Sequence, residues 1–189
     1  MRTIMVILAL SAALSAMAVG AARAEADLWA LLRGGGHAAL IRHALAPGTG
    51  DPAGFRIGDC TTQRNLSDEG RGQARRIGDL FRANGVDTAV LASSQWCRCV
   101  ETAELMGLGP VIDLPAANSF FADRASQAEQ TAGLRRWLAS RPLDDVVVVV
   151  THQVNITALT GVYPASGEIV VVRRTGNGAG EVAGRIRTD

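Results

Sequence analysis

The chain has 189 residues, with 19 basic and 18 acidic side chains and 48% hydrophobic residues. That length supports one well-buried domain, and a formal net charge of +1 with high apolar content argues against a dedicated nucleic-acid binder or a disordered chain. Every basic residue is Arg, so no single arginine is by itself a functional signal.

Residues 1–24 read as a secretory leader. Arg2 gives the positive start, Ile4 to Val19 form an almost unbroken apolar run, and Ala22-Arg23-Ala24 places small residues where a signal peptidase reads. The run is shorter than the about 20 residues of a spanning helix, which favours cleavage over a retained anchor. No cysteine precedes Cys60, so lipid attachment to an amino-terminal Cys is excluded. The expectation is a periplasmic or secreted protein in which residues 25–189 form a single domain with no stable membrane anchor.

Beyond the leader, strands and helices alternate. A short helix is expected over Leu28–Arg33, broken by Gly34-Gly35-Gly36, followed by a buried strand over His37–His43. Ala44–Leu66 is rich in Gly, Pro, Asp and Thr; loops this long inside a compact domain are usually functional. Ser67, with Asp68 and Glu69 behind it, caps a helix running to about Asn84 and stopped by Gly85. A strand over Asp87–Ser93 leads to a helix from Gln95 to Met106, capped by Ser94, and Val111–Leu114 forms a third strand. A helix over Ser126–Ser140 precedes five consecutive valines, Val146–Val150, the pattern of a central parallel strand. Gln153–Thr160 is helical, Glu168–Arg174 is a strand, and the tail carries a turn and an edge strand near Arg185. The expected fold is a three-layer α/β/α sandwich with a mostly parallel central sheet.

Export makes a disulfide worth considering. Cys97 and Cys99 stand two residues apart on a helix and face different sides, so they are poor partners for each other. Cys60 can pair with either, pinning the long loop near Arg98. No Cys spacing resembles a zinc ligand set.

In an open parallel sheet, ligands bind beyond the carboxyl ends of the strands. Arg42 and His43 follow the first strand, Ser93 and Ser94 the second with Arg98 one helical turn on, and Thr151 and His152 the valine strand. Two of the three histidines and two arginines thus converge on one edge. Arg offers a planar, permanently charged fork for phosphate oxygens. A neutral imidazole can attack phosphorus and form a phosphohistidine, and nearby Arg charges would keep His43 neutral. A second, protonated His can stabilise the equatorial oxygens, and the helix starting at Ser94 would add backbone N–H groups. Such a set needs no metal and no cofactor.

Four segments resemble the histidine phosphatase superfamily, the phosphoglycerate mutase-like proteins. They are Leu40-Ile41-Arg42-His43-Ala44, the stretch from Leu66 to Ala74, Ser93-Ser94 with Arg98 and Thr102-Ala103, and Val149-Val150-Thr151-His152. The resemblance runs in order from Gly36 to Gly161 and implies a phosphoglycerate mutase-like fold and a phosphoric monoester hydrolase. By it, His43 would be the phosphorylated nucleophile, with Arg42, Arg98 and His152 lining the phosphate pocket. Ala44 replaces the usual Gly, and Gln153 follows the second His, so the His-Asp pair of the acid phosphatase branch is missing. In the other branch a Glu after the third strand donates the leaving-group proton; here Asp123 is the nearest carboxylate. Arg64, Asn65 and Ser94 are further candidates for substrate binding. Some exported members resemble lipopolysaccharide-core sugar phosphatases, which implies a small phosphorylated substrate such as a cell-envelope sugar phosphate.

Two rival readings use the same residues. One is a metal hydrolase built on His43, His152 and Asp123, disfavoured by the fixed cation of Arg42 alongside. The other is a non-catalytic periplasmic module that binds phosphate or an anionic glycan.

Overall fold

The valine strand organises the molecule. In the computed structural model, which describes residues 23–188, β4 (Val147–Thr151) is buried along its whole length between two parallel neighbours. The expected leader lies almost wholly outside the described residues. The remaining strands are β1 (His37–Arg42), β2 (Val90–Ser93), β3 (Val111–Asp113), β5 (Ile169–Thr175) and β6 (Gly178–Ile186). They form one sheet in the order β3-β2-β4-β1-β5-β6. β1 to β4 run parallel, while β5 and β6 are antiparallel additions at one side.

The helices are α1 (residues 23–33), α2 (Asp68–Ala83), α3 (Cys97–Met106), α4 (Gln127–Ala139) and α5 (Gln153–Thr160). Successive strand residues point to opposite faces, so each central strand feeds two cores. Ile41, Val148, Val150 and Val171 meet Trp29 of α1, Phe81 of α2 and Met106 of α3 on one face. Leu40, Val147, Val149 and Val170 meet Leu134 and Leu138 of α4 and Ile156 of α5 on the other. Each such side chain contributes roughly 1.5–3 kcal/mol on burial, which explains why the continuous apolar runs occupy the centre. The expected three-layer sandwich with a mostly parallel sheet is the observed architecture.

Several boundaries differ from expectation. β2 begins at Val90 rather than Asp87, because Val86 and Ala89 donate to the carbonyls of Phe81 and Leu108 instead of joining a ladder. β6 is a nine-residue strand rather than a short edge near Arg185. α3 begins at Cys97, with Trp96 at its cap position and no side-chain capping bond; the Ser94 hydroxyl is engaged elsewhere. Among the described residues, no helix is long and apolar enough to cross a membrane.

α2 and α3 approach closely at Gly78, where an added Cβ would stand 2.0 Å from the Met106 carbonyl oxygen. Ala exceeds Gly by about 1 kcal/mol in helix propensity, so a Gly78→Ala change on an open helix would stabilise. Here it forces the helices apart and the expected outcome is a loss of about 1–3 kcal/mol, read by urea denaturation. A stabilised variant would contradict the close packing.

Candidate active site

β1 and β4 are paired so that Arg42 stands opposite Thr151. The next residue on each strand is a histidine, and the His43 N–H donates to the Thr151 carbonyl at 2.9 Å. The two imidazoles therefore lie side by side, with centroids 5.5 Å apart and planes inclined at 69°. Both are buried, at 3% and 4% exposure.

The loop after β1 is held by the segments that resemble the family. Thr102 of α3 accepts from the Ala44 N–H at 3.1 Å, and Gln73 of α2 accepts from the Leu45 N–H at 3.0 Å. Ser67 caps α2 by accepting from the Gly70 N–H, and its own N–H donates to the Leu45 carbonyl. Gly70 permits this contact, since a Cβ there would meet the Leu45 oxygen at 2.0 Å.

His43 Nδ1 lies 2.8 Å from the Ala44 carbonyl. A carbonyl only accepts, so Nδ1 carries the proton and Nε2 keeps its lone pair. Nε2 has no hydrogen-bond partner among the described residues, and His43 lines a cavity of about 480 Å³, within the usual range for small molecules. Burial is the main force on this imidazole, with Arg98, Arg64 and Arg42 adding to it against the Ala44 bond; together they push its pKa down to about 3.

His152 Nε2 is 2.8 Å from the Ser94 hydroxyl. Ser94 Oγ donates its one hydrogen to Asn118 Oδ1 at 3.2 Å, so toward His152 Nε2 it is the acceptor. The Asn118 amide is fixed, because Oδ1 accepts from the Gln95 N–H and Nδ2 donates to Gln95 Oε1. Burial, then His43 and the surrounding arginines, push His152 well below its ordinary pKa. Burial thus holds both imidazoles toward their neutral forms.

The two arginines present complementary edges. Arg42 donates from Nη1 to the Pro164 carbonyl at 3.0 Å. Arg98 grips Asp51 through Nη1 at 2.7 Å and Nη2 at 3.1 Å. The Nε–H groups of both arginines are buried and have no partner among the described residues. Such orphan donors cost about 1–3 kcal/mol each unless a ligand satisfies them. Both residues line the cavity that His43 and His152 face.

Asp51 was not singled out from the sequence. Its carboxylate also accepts from Trp96 Nε1 at 3.0 Å and the Arg64 N–H at 3.2 Å. Burial alone would raise its pKa, but the bonds from Arg98 and Trp96 hold it below the ordinary carboxylate range. Its loop is fastened to α3 by the Cys60–Cys97 disulfide, which settles the choice left open between Cys97 and Cys99. Cys99 is free and buried, 3.5 Å from His152 Nε2, and burial pushes its thiol up to about 12. It stays a thiol at neutral pH.

The remaining candidates divide. Arg64 is half-buried, lines the cavity and donates to the carbonyls of Gly50 at 2.7 Å and of Ala46. Asn65 does not line the cavity; its Nδ2 donates to the Cys60 carbonyl. Asp123 lines the cavity, and its Oδ1 accepts from the Ala125 N–H as the cap of a short helical turn. The expectation that amides at the start of α3 meet the anion fails. The N–H groups of Gln95, Trp96 and Cys97 are taken by Asn118, Ser94 and Gln63. Among the described residues no three His, Cys, Asp or Glu side chains gather as a metal site.

The neutral His43 gives a sign to pH dependence. Its folded pKa lies below the unfolded value near 6.5, so the unfolded chain binds the extra proton. The stability from a neutral His43 is present above pH 6.5 and is lost as pH falls toward 3, by up to roughly 5 kcal/mol. In an NMR titration the His43 ring signals should hold their neutral positions from pH 8 to 5. A midpoint near 6.5 would contradict the buried-neutral assignment.

Comparison with known proteins gives a consistent picture. Residues 39–117 match the family model of the histidine phosphatase superfamily, branch 1. No curated protein matches the sequence significantly. Among solved structures, the chain is similar to the protein histidine phosphatase SixA in complex with tungstate, at 16% identity and TM-score 0.54, covering 79% of this chain and 96% of that one. It is similar to a mycobacterial glucosyl-3-phosphoglycerate phosphatase in complex with VO3, at 16% identity and TM-score 0.53, covering 72% and 92%. It is also similar to a phosphoserine phosphatase from Entamoeba histolytica in complex with 3-phosphoglyceric acid, at 15% identity and TM-score 0.58, covering 80% and 97%. At these identities the likeness concerns the fold. The family match covers residues 39–117, and the likeness of fold extends over most of the chain.

Proposed function

We propose that this chain is a phosphomonoesterase that works through a covalent phosphohistidine on His43. The observation that carries the reading is the pair of buried, unpartnered Nε–H groups on Arg42 and Arg98, two residues that line the same cavity as His43. Two cationic donors and a neutral nucleophile fit a phosphoryl group better than any neutral ligand.

In the first step the Nε2 lone pair attacks phosphorus, an N–P bond forms and the ester P–O bond breaks. The leaving oxygen takes a proton from Asp123 or from water. In the second step water attacks phosphorus, the N–P bond breaks and orthophosphate leaves, returning His43 to its neutral form. Arg42, Arg98 and His152 hold the equatorial oxygens, and Arg64 adds charge at the mouth. As charge builds on the phosphoryl oxygens, His152 becomes easier to protonate, so it can gain a proton in the step rather than carry one beforehand. All of these groups belong to the chain, so the reaction is written without a metal.

The Cys60–Cys97 disulfide supports an oxidising compartment and, with the leader at residues 1–24, a periplasmic or secreted protein. That location favours a cell-envelope sugar phosphate as substrate. The alternative is a non-catalytic module that binds phosphate or an anionic glycan. It is favoured by Asn118, an amide locked in the region where a proton-donating acid is expected.

Turnover separates the two. The mature protein should hydrolyse p-nitrophenyl phosphate equally with and without EDTA, and a folded His43→Ala protein should lose about 1,000-fold or more in kcat/KM. Loss of activity in EDTA would point to metal chemistry, and absence of turnover in the parent protein would point to the binding module.

A further inference from the structure

The cavity is much larger than a phosphate, and its outer part is aromatic. The chain has three Trp, one Tyr and four Phe. Four of these eight rings, Phe55, Trp96, Phe121 and Tyr163, line this one cavity. The inner two are satisfied by the protein. Phe55 stacks on Trp96 at 4.8 Å, and Trp96 stands edge-on to His152 at 5.3 Å with its indole N–H donating to Asp51.

The outer two are different. Phe121 is 44% exposed and Tyr163 is 69% exposed, among the few large hydrophobic side chains left open to solvent. The Arg124 guanidinium lies over the Phe121 ring at 5.4 Å to the centroid. Phe121 sits just after the Asn118–Ser119 segment and Tyr163 follows α5, so the rings come from opposite connections of the fold. Two exposed rings lining the same cavity as buried cationic donors offer an apolar surface that a ligand can cover.

We infer that the leaving group of the substrate is a ring with an apolar face, an aryl ring or the carbon–hydrogen face of a pyranose, which packs on Phe121 and Tyr163 while the phosphoryl group sits between His43 and the two arginines. This rests on the phosphatase reading of the site and names the substrate class within it. A small acyclic phosphate ester fills the anion end and leaves both rings wet.

Nonhydrolysable phosphonates test binding without leaving-group chemistry. Inhibition constants would be measured for methylphosphonate, benzylphosphonate and a pyranosyl methylphosphonate, on the parent protein and on Phe121→Ala, Tyr163→Ala and the double variant. The expected result is a preference of about 10-fold or more for at least one ring compound over methylphosphonate. That preference should fall toward unity in the double variant while the methylphosphonate constant stays unchanged. The ring compound that loses more identifies the aryl or the sugar source. Equal inhibition by all three compounds on the parent protein would overturn the inference, as would a preference that survives the double substitution. If no phosphonate inhibits, the anion site itself fails, and the phosphatase reading falls with it.

Discussion

A single backbone hydrogen bond, from the His43 N–H to the Thr151 carbonyl, fixes the geometry on which the site depends. It continues the parallel ladder of β1 and β4 one residue beyond Arg42 and Thr151. A slip of one residue in that register would send the two histidines to opposite faces of the sheet. The apolar runs Ala38–Ile41 and Val147–Val150 prevent such a slip, because alternate side chains fill two separate cores. The chemistry at the strand ends is thus positioned by packing in the middle of the sheet.

Around that pair the structure invests polar groups in orientation. Thr102, Gln73 and Ser67 hold the turn after His43 through backbone bonds, so residues 58 and 28 positions away from Ala44 and Leu45 decide where the imidazole points. Asp51 takes both terminal nitrogens of Arg98 and leaves its buried Nε–H without a partner among the described residues. A half-buried carboxylate that lines the cavity would repel an anionic ligand if it stood alone. Here its charge is neutralised by the bidentate pair, and the Cys60–Cys97 link keeps the loop that carries it against α3. The Asp51–Arg98 unit acts as a fixed support rather than as a free acid and a free base.

Much of this was legible in the sequence, and the reasons differ from residue to residue. The valine strand and α5 stand close to or on their expected bounds because a β-branched run and the residues after His152 leave few alternatives. The convergence of Arg42, His43, Arg98 and His152 on one cavity follows from strand ends in a parallel sheet. Asp51 could not be read in the same way. Its partner Arg98 lies 47 residues along the chain, across a loop with no periodicity to fix its path. The Ser94 hydroxyl was read as a helix cap, but a bond to His152 competes for it, and only the folded chain decides between them. The unprotonated state of His152 likewise depends on burial, which sequence does not report.

The central claim is that His43 Nε2 is the atom that receives the phosphoryl group. Rapid-quench incubation with a 32P-labelled phosphate ester, followed by peptide mapping, tests it most directly. The account predicts a phosphoenzyme that is stable in alkali and labile in acid, with the label on the peptide containing His43 and attached at Nε2. Turnover that proceeds with no labelled protein, or label found on Ser94, Asp51 or any peptide lacking His43, would contradict it.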